Sequence, residues 1–423
     1  MTEENAKLLA IVQDGAVPAG YTKVWHLMPE EWKDVPFSYI FTKKNQKNKG
    51  NSVKTVFTNS AVNGIIPQSE YFEKDIANSE NTEGYFVVDP LDYVYNPRIS
   101  ENAPYGPFKR NDTGITGIVS PLYTVLTPRK EFCESEFIHY YLESAQWHKY
   151  AYSIANYGAR FDRMNITDDE LMRLPIAWPS LAEQNRIAEI LMQCDKVIEV
   201  KQKRIEEEKG KKKYLMQTLL SPTSGARLPG FSGAWKESRI GDIAKMFSGG
   251  TPTSSNQAYY AVSGIPFIRS GEISSQKTVL FLSQAGYNNS AAKMVSKGDL
   301  LYALYGANSG ECFISKIDGA INQAILCIRS EIVDTKYMYY VLANRKEWIV
   351  ATYLQGGQGN LSGEIIKNLV ISYPEHMEQS AIYSVLNAQD SVIDKLEAEL
   401  SVYREKKTAL AQLLLTGIVR TKV

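Results

Sequence analysis

Between Asp34 and Glu70 the chain carries no acidic residue, yet Lys43, Lys44, Lys47, Lys49 and Lys54 all fall there, interleaved with Asn45, Gln46, Asn48 and Asn51. Lysines neutralise phosphate, while Asn, Gln and Arg can bond in pairs to base edges. The mixture therefore has the chemistry of nucleic-acid reading rather than of charge attraction alone. A second such stretch runs from Asp242 to Asp299, where Glu272 is the only acid among Arg269, Lys277, Lys293 and Lys297. By composition alone, either stretch also fits a solvated loop. Three glycine-rich pieces, Ser248-Gly249-Gly250-Thr251-Pro252-Thr253, Tyr305-Gly306-Ala307 and Gln355-Gly356-Gly357-Gln358-Gly359-Asn360, sit between strand-like runs such as IPFIRS and NQAILCIRS. They read as loops on a sheet, where glycine permits either a tight turn or close approach of a ligand.

Catalytic chemistry is not legible. No Gly-x4-Gly-Lys-Ser/Thr loop occurs. Tyr95-Asn96-Pro97-Arg98 lacks the second proline and the aromatic of an amino-methyltransferase motif. His26, His139, His148 and His376 are isolated, without a nucleophile motif beside them, and Cys133, Cys194, Cys312 and Cys327 lie far apart with no metal-ligand spacing. No catalytic residue, metal site or disulfide is expected, and the thiols are expected to be reduced. The 47 basic and 47 acidic residues cancel, which argues against a generally adhesive nucleic-acid binder and makes any such surface local. An acidic N-terminus without a long apolar run, and no long apolar run elsewhere, lead to the expectation of a soluble cytoplasmic protein with no membrane partner.

The elements that must position these residues come from an internal repeat. RLPIAWPSLAEQNRIAEILMQCDKVIEVKQKRI aligns without a gap on NLVISYPEHMEQSAIYSVLNAQDSVIDKLEAEL, Pro179 on Pro374, a displacement of 195 residues. The same displacement pairs Glu183-Gln184 with Glu378-Gln379, Asp195 with Asp390, Leu219 with Leu414, and Asn165-Ile166-Thr167 with Asn360-Leu361-Ser362. Upstream, Trp32-Lys33 matches Trp235-Lys236 at a displacement of 203. The globular parts therefore differ in length by 8 residues, while the segments after them stay in register.

After each proline the apolar residues recur at spacings of four and three. The first set is Ile187, Leu191, Cys194, Ile198, Ile205, Leu215 and Leu219, and the second Ile382, Leu386, Ile393, Leu396, Leu400, Tyr403, Leu410 and Leu414. Such a heptad seam needs a partner strip of the same period, supplied either by the other helix of the chain, packed antiparallel, or by another subunit, and the first arrangement is favoured. Antiparallel pairing within the chain sets Lys212 opposite Gln389 and Ile205 opposite Leu396, a polar seam pair that fixes register. The first seam spans roughly 50 Å at 1.5 Å per residue, more than one turn of B-DNA at about 34 to 36 Å. The charged runs from Lys201 to Lys213 fit a solvated helix face or a docking surface for other subunits. The aromatic clusters FIHYYLESAQWHKY and YMYYVLANRKEWI read as core helices packed on the sheets.

The fold class is α+β, a pseudo-two-fold internal repeat of two mixed α/β domains joined by two long helices that form an antiparallel coiled coil. The expected divisions are residues 1–29, an N-terminal extension, 30–174, a first head, and 175–222, a helical region with its helix near 181–220. A second head at 223–369 and a second helical region at 370–423, with its helix near 376–416, complete the chain. Read from residues alone, two heads on a ruler suit either DNA or a scaffold whose heads bind proteins.

Nearly the whole chain after about residue 25 resembles the specificity subunits of Type I restriction-modification enzymes. The similarity rests on the helix starts LPIAWPSLAEQNRIAEIL and LVISYPEHMEQSAIYSVL, and on the helix ends KKKYLMQTLLSP and KKTALAQLLLTG. It rests also on YNPRIS and GIVSPLYTVL in the first head, and on SGGTPTSSNQAYY and GAINQAILCI in the second. Glu375-His376-Met377 departs from a usual Leu/Pro-rich pattern. The resemblance implies two target-recognition domains, each contacting one half of a bipartite double-stranded DNA site, with the helices setting the spacer. It implies two methyltransferase subunits docked on the chain that bind AdoMet and flip out and methylate adenine. It also implies restriction-translocation subunits that use ATP and Mg, so that no cofactor is bound by this chain. By position it directs attention to the Lys43–Lys49 loop (Lys43, Lys44, Asn45, Lys47, Lys49), Asn96, Arg98 and Arg160 in the first head. In the second it directs attention to Gly249, Gly250, Thr251, Arg269, Ser270, Tyr305, Asn308, Gln323, Gln358 and Asn360.

Overall fold

The computed structural model describes residues 7–8, 10–12, 15–71, 82–129, 135–157, 163–275, 277–306, 308–354 and 360–421. The chain divides into two compact units, Met1–Val200 with Leu400–Val423, and Lys201–Glu399. Each unit holds one head, half of one long helix and the opposite half of the other.

In the first unit, strand Lys33–Pro36 pairs antiparallel with Pro175–Trp178, Val35 opposite Ile176, and a single helical turn, Phe37–Ile40, leads into strand Phe41–Lys44. That strand is the edge of a four-stranded antiparallel sheet ordered Phe41–Lys44, Thr124–Pro128, Tyr93–Tyr95, Phe108–Arg110. Side chains alternate across a strand, so the sheet sorts its own residues onto two faces. Phe41, Tyr93, Tyr95, Phe108 and Leu126 point to one core with Phe137, Tyr141 and Trp147, residues of helix Ser135–Glu143 and the turn after it. Val94 and Val125 point to the other face, against Phe57, Ile65, Val88 and Val119 of two two-stranded sheets. Burial on both faces is why the two central strands carry consecutive apolar residues, Tyr93-Val94-Tyr95 and Val125-Leu126.

The second unit repeats this plan. Lys236–Arg239 pairs with Val370–Tyr373, the turn Ile240–Ile243 follows, and the four-stranded sheet is ordered Ala244–Ser248, Ile325–Ser330, Leu300–Ala303, Cys312–Ile314. Leu300, Tyr302, Leu326 and Ile328 face the helix Thr335–Tyr353 with its buried Tyr337 and Tyr340. Leu301, Ala303, Ile325 and Cys327 face Ile268, Val295 and Ile321, which belong to a five-stranded sheet where Ile265–Ile268 and Gly319–Ile321 run parallel. The heads thus share the inner sheet and its helix and differ in the outer sheet. Cys312 and Cys327 are buried and Cys194 half-buried, all free thiols, and burial pushes the Cys312 and Cys327 thiols up to about 12. Cys133 lies outside the described residues.

The two long helices are Leu181–Leu219 and His376–Leu415. Their starts are built by the repeated Glu-Gln pair. The buried Gln184 amide donates to the Pro179 carbonyl at 3.0 Å, and Gln379 does the same to Pro374 at 2.9 Å. Glu183 accepts from Trp32 Nε1 at 3.1 Å and takes Arg420 in two parallel bonds of 2.7 and 2.8 Å. Glu378 takes Arg227 with the same fork. The repeated Thr167 and Ser362 are N-caps of the short helices Asp168–Met172 and Gly363–Asn368, which accounts for the hydroxyl at that position in both copies.

Along the seam, Ile187, Leu191 and Leu414 lie in the first core with Leu410 packed on it, and Leu219, Ile382 and Leu386 lie in the second with Leu215 packed on it. Ile205, Ile393 and Leu400 are buried, while Ile198 and Leu396 are half-buried. Two details differ from the sequence reading. Tyr403 is 41% exposed and stacks its ring under Lys406 rather than filling the seam. Lys212 binds Asp390 Oδ1 at 2.6 Å instead of Gln389, and the buried Gln389 amide donates to the Glu208 carbonyl and carboxylate at 3.1 and 2.7 Å. The reason is electrostatic: a lysine one residue from a carboxylate pairs with the charge, leaving the amide for the helix carbonyl.

Candidate nucleic-acid interface

The basic loop of the first head leaves the edge strand Phe41–Lys44 and is shaped by Asn48, which is fully buried. Its Nδ2 donates to Val53 O at 2.9 Å, and its Oδ1 accepts from Val53 N at 2.9 Å, closing a turn on itself. Asn51 holds a left-handed backbone, φ 51°, and accepts a bond from Thr82 Oγ1 at 2.9 Å. This scaffold leaves Asn45, Gln46, Lys47, Lys49 and Lys54 exposed, and Asn45, Gln46, Lys47 and Lys49 line one open depression of about 560 Å³.

The two lysines on the strand itself behave differently. Lys44 is 15% exposed and sits between Asp89 at 2.6 Å and Asp92 at 2.7 Å. Those two hydrogen-bonded carboxylates raise its pKa against the opposing effect of burial, the largest single influence. Lys43 pairs with Asp168, which also accepts from Thr124 Oγ1 at 3.2 Å. Both lysines are answered by carboxylates of the same head. Asn96 is likewise buried. Its Oδ1 accepts from Arg98 N at 3.0 Å and its amide reaches Asn59 O at 3.3 Å, so its side chain shapes the turn that presents the exposed Arg98. Arg160 lies outside the described residues.

In the second head, the positions singled out in the sequence gather around Asn322, which the sequence reading passed over. Gly249 N donates to Asn322 O at 3.2 Å. Thr251 Oγ1 donates to Gln323 Oε1 at 2.6 Å, and both side chains are exposed. Arg269, Ser270, Gly271, Glu272 and Asn322 line an open depression of about 470 Å³. Asn308 Nδ2 donates to Ser270 O at 3.0 Å, and a side chain at Gly306, next to Tyr305, would meet Ser270 Oγ at 3.6 Å. Asn360 is exposed and precedes Leu361, whose amide bonds Leu304 O at 2.9 Å beside Tyr305. Gln358 lies outside the described residues. The pairing of Asn322 with Gly249 depends on strand order, for which no local signal exists.

Gly249 and Gly250 have an internal reason to be glycine. A Cβ on Gly249 would lie 1.7 Å from Ile321 O, and one on Gly250 would lie 2.6 Å from Ala291 Cβ. Their smallness admits neighbouring backbone of the same head. Arg269 Nε pairs with Glu272 at 3.1 Å, yet the Arg269 side chain remains 45% exposed. A guanidinium offers five donors, so this one bond leaves capacity for a ligand.

Each head is fastened to the long helices by the same three residues. In the first unit, Tyr140 Oη donates to Asp195 Oδ2 at 2.6 Å, Lys407 binds Asp195 Oδ1 at 2.5 Å, and the Lys407 ammonium lies 5.0 Å from the Tyr140 ring centre. In the second, Tyr340 donates to Asp390 at 2.6 Å, Lys212 binds it at 2.6 Å, and the ammonium is 5.7 Å from the Tyr340 ring centre. One residue of each trio comes from the head helix and one from each long helix. A recognition surface built on this frame has a fixed position relative to the helices of its own unit.

A family model described as the Type I restriction modification DNA specificity domain matches residues 29–208 and again 233–402. A curated relative, the type I restriction enzyme MjaX specificity subunit of Methanocaldococcus jannaschii, is 28% identical over 318 residues, 70% of this chain and 71% of the relative. Among solved structures, a chain from a study of complex assembly and conformational transition of the type I R-M system superposes with a TM-score of 0.60 at 19% identity. It covers 94% of this chain and 99% of that one. The S subunit of a type I restriction-modification system from M. genitalium superposes with a TM-score of 0.50 at 15% identity, covering 93% and 97%.

Proposed function

The chain belongs to the Type I restriction modification DNA specificity domain family, and from that premise we propose that its two heads each read one half of a bipartite double-stranded DNA site. It is the DNA-recognition subunit of such a system and is not itself an enzyme. The observation that carries the bipartite reading is the doubling: two copies of one domain, with a shared inner frame and different outer sheets, present different exposed polar surfaces. In the first head these are Asn45, Gln46, Lys47 and Lys49, and in the second Thr251, Gln323 and Arg269. Lysines there take phosphates and set position, while amides and guanidinium take base edges and set sequence.

The paired helices set the unspecified spacer between the half-sites and dock two methyltransferase subunits. Those partners carry AdoMet, and restriction-translocation subunits, where they join the assembly, carry ATP and Mg. No helix among the described residues is long and apolar enough to cross a membrane.

Selection of bound fragments from a random DNA pool, using the chain assembled with its methyltransferase subunits, tests the proposal. A motif in two parts with a fixed gap is expected. A single uninterrupted motif, or no enrichment, contradicts it.

A further inference from the structure

Arg98 and Arg163 stand opposite one another across an isolated antiparallel bridge of the first head, held by Met164 N donating to Pro97 O at 2.9 Å. Directly opposed residues in antiparallel backbone project to the same face, roughly 5 Å apart at Cβ, and like charges placed so are destabilising. Among the described residues no carboxylate answers either guanidinium. The Arg98 backbone amide is bound to Asn96 Oδ1, while Arg163 Nε is buried and has no hydrogen-bond partner among the described residues. A buried donor left unmade carries its full desolvation penalty. The same two side chains act on the half-buried Tyr123 phenol. Burial raises its pKa above the ordinary range, and the fields of Arg98 and Arg163 oppose that rise. Tyr123 also lines an open groove with Lys43, Lys44 and Thr124, so the arginine pair adjoins a surface of the head that is already accessible.

Resting on the DNA-recognition reading above, we propose that Arg98 and Arg163, with the Tyr123 hydroxyl, hold one phosphate of the DNA backbone against the first head. Two guanidiniums side by side need an anion, and a base edge, being neutral, does not supply one. A phosphodiester brings one negative charge and two free oxygens, enough to accept from both arginines and from the phenol. This group positions the duplex and leaves sequence discrimination to the exposed amides of the same head.

The test uses Arg163→Gln, with Arg98→Gln as a second variant, in the chain assembled with its methyltransferase subunits. Binding is measured over a salt series on DNA carrying the selected motif and on DNA with its first half-site scrambled. The expected result is weaker binding by the same factor on both DNAs, a slope of log affinity against log salt that is shallower by about 0.9, and a melting temperature of the free chain that does not fall. Unchanged affinity and slope overturn the assignment. A loss confined to the motif with an unchanged slope overturns it in favour of base reading, and a lowered melting temperature overturns it in favour of a structural role. If the unsubstituted assembly prefers no sequence, the DNA-reading premise itself fails, a result distinct from failure of the arginine pair.

Discussion

Asp195 and Lys407 form an ion pair of 2.5 Å, and the pair is repeated one displacement of 195 residues along the chain as Asp390 with Lys212 at 2.6 Å. Because the partners exchange helices between the two copies, the repeat seen in the sequence becomes a reciprocal fastening in three dimensions. Each aspartate also accepts a tyrosine hydroxyl from its own head.

Breaking the fastening should cost stability in a coupled way. A double-mutant cycle of Asp195→Ala with Lys407→Ala is expected to give a coupling of about 0.5 to 1 kcal/mol, modest because Asp195 is 43% exposed and solvent screens the pair. Tyr140→Phe should remove about 1 kcal/mol. Chemical denaturation of the two single variants, the double variant and Tyr140→Phe checks both, and additive single effects would contradict the pairing.

The glycines of the second head separate packing from ligand contact. Gly249→Ala places a methyl on Ile321 O and should destabilise the unit by about 2 kcal/mol or more. Gly271→Ala, with nothing within 4 Å of its Cβ, should leave the melting temperature within error. If both variants melt alike, the close approach at Gly249 is not what requires glycine.

The lysines of the first head should sort into two kinds. Lys44→Ala strands Asp92, only 3% exposed, and should lower stability by about 2 to 3 kcal/mol. Lys47→Ala should leave stability unchanged and weaken DNA binding equally for all sequences, with a shallower salt slope. In the second head, Arg269→Ala and Gln323→Ala should each cost about 1 to 3 kcal/mol, and only on cognate DNA. Melting curves and a salt series on two DNAs distinguish these outcomes.

Acid should weaken the first unit through His26. This ring is buried, its Nδ1 lies 3.3 Å from Tyr141 Oη, and burial holds its pKa down at about 4 against 6.5 for a free ring. The unfolded chain therefore binds a proton that the folded chain refuses between these two values. Stability is full above about pH 6.5 and declines as pH falls towards 4, by about 3 kcal/mol for this group. Burial also lowers His139 and His148, so His26→Gln should flatten part of the decline and not all of it. An unchanged pH profile in that variant contradicts the assignment.

The helices and their antiparallel pairing were legible because the heptad spacing of Ile187, Leu191, Ile382 and Leu386 is local. So was the duplication, since Glu183-Gln184 and Glu378-Gln379 do the same hydrogen-bonding work at both helix starts. The Lys212 partner was misjudged by one residue, because seam geometry gives the level along the helix and charge chooses within it. Lys44 and Asn96 looked like ligand groups from their types, but Asp89 and Asp92 come from the turn ahead of strand Tyr93–Tyr95 and Asn59 from strand Phe57–Ser60, far along the chain, and only the folded arrangement brings them together. Asn322 and Arg163 were missed for the same reason: what distinguishes each is a neighbour across the fold, Gly249 for one and Arg98 for the other.

Genome-wide mapping of methyladenine, with the gene intact, deleted, and carrying Arg269→Ala with Gln323→Ala, tests the central claim most directly. Two heads reading two half-sites predict a bipartite methylated motif that vanishes on deletion. In the substituted strain only one half of that motif should relax. Methylation that is unchanged by deletion, or a substitution that relaxes both halves alike, would contradict the account.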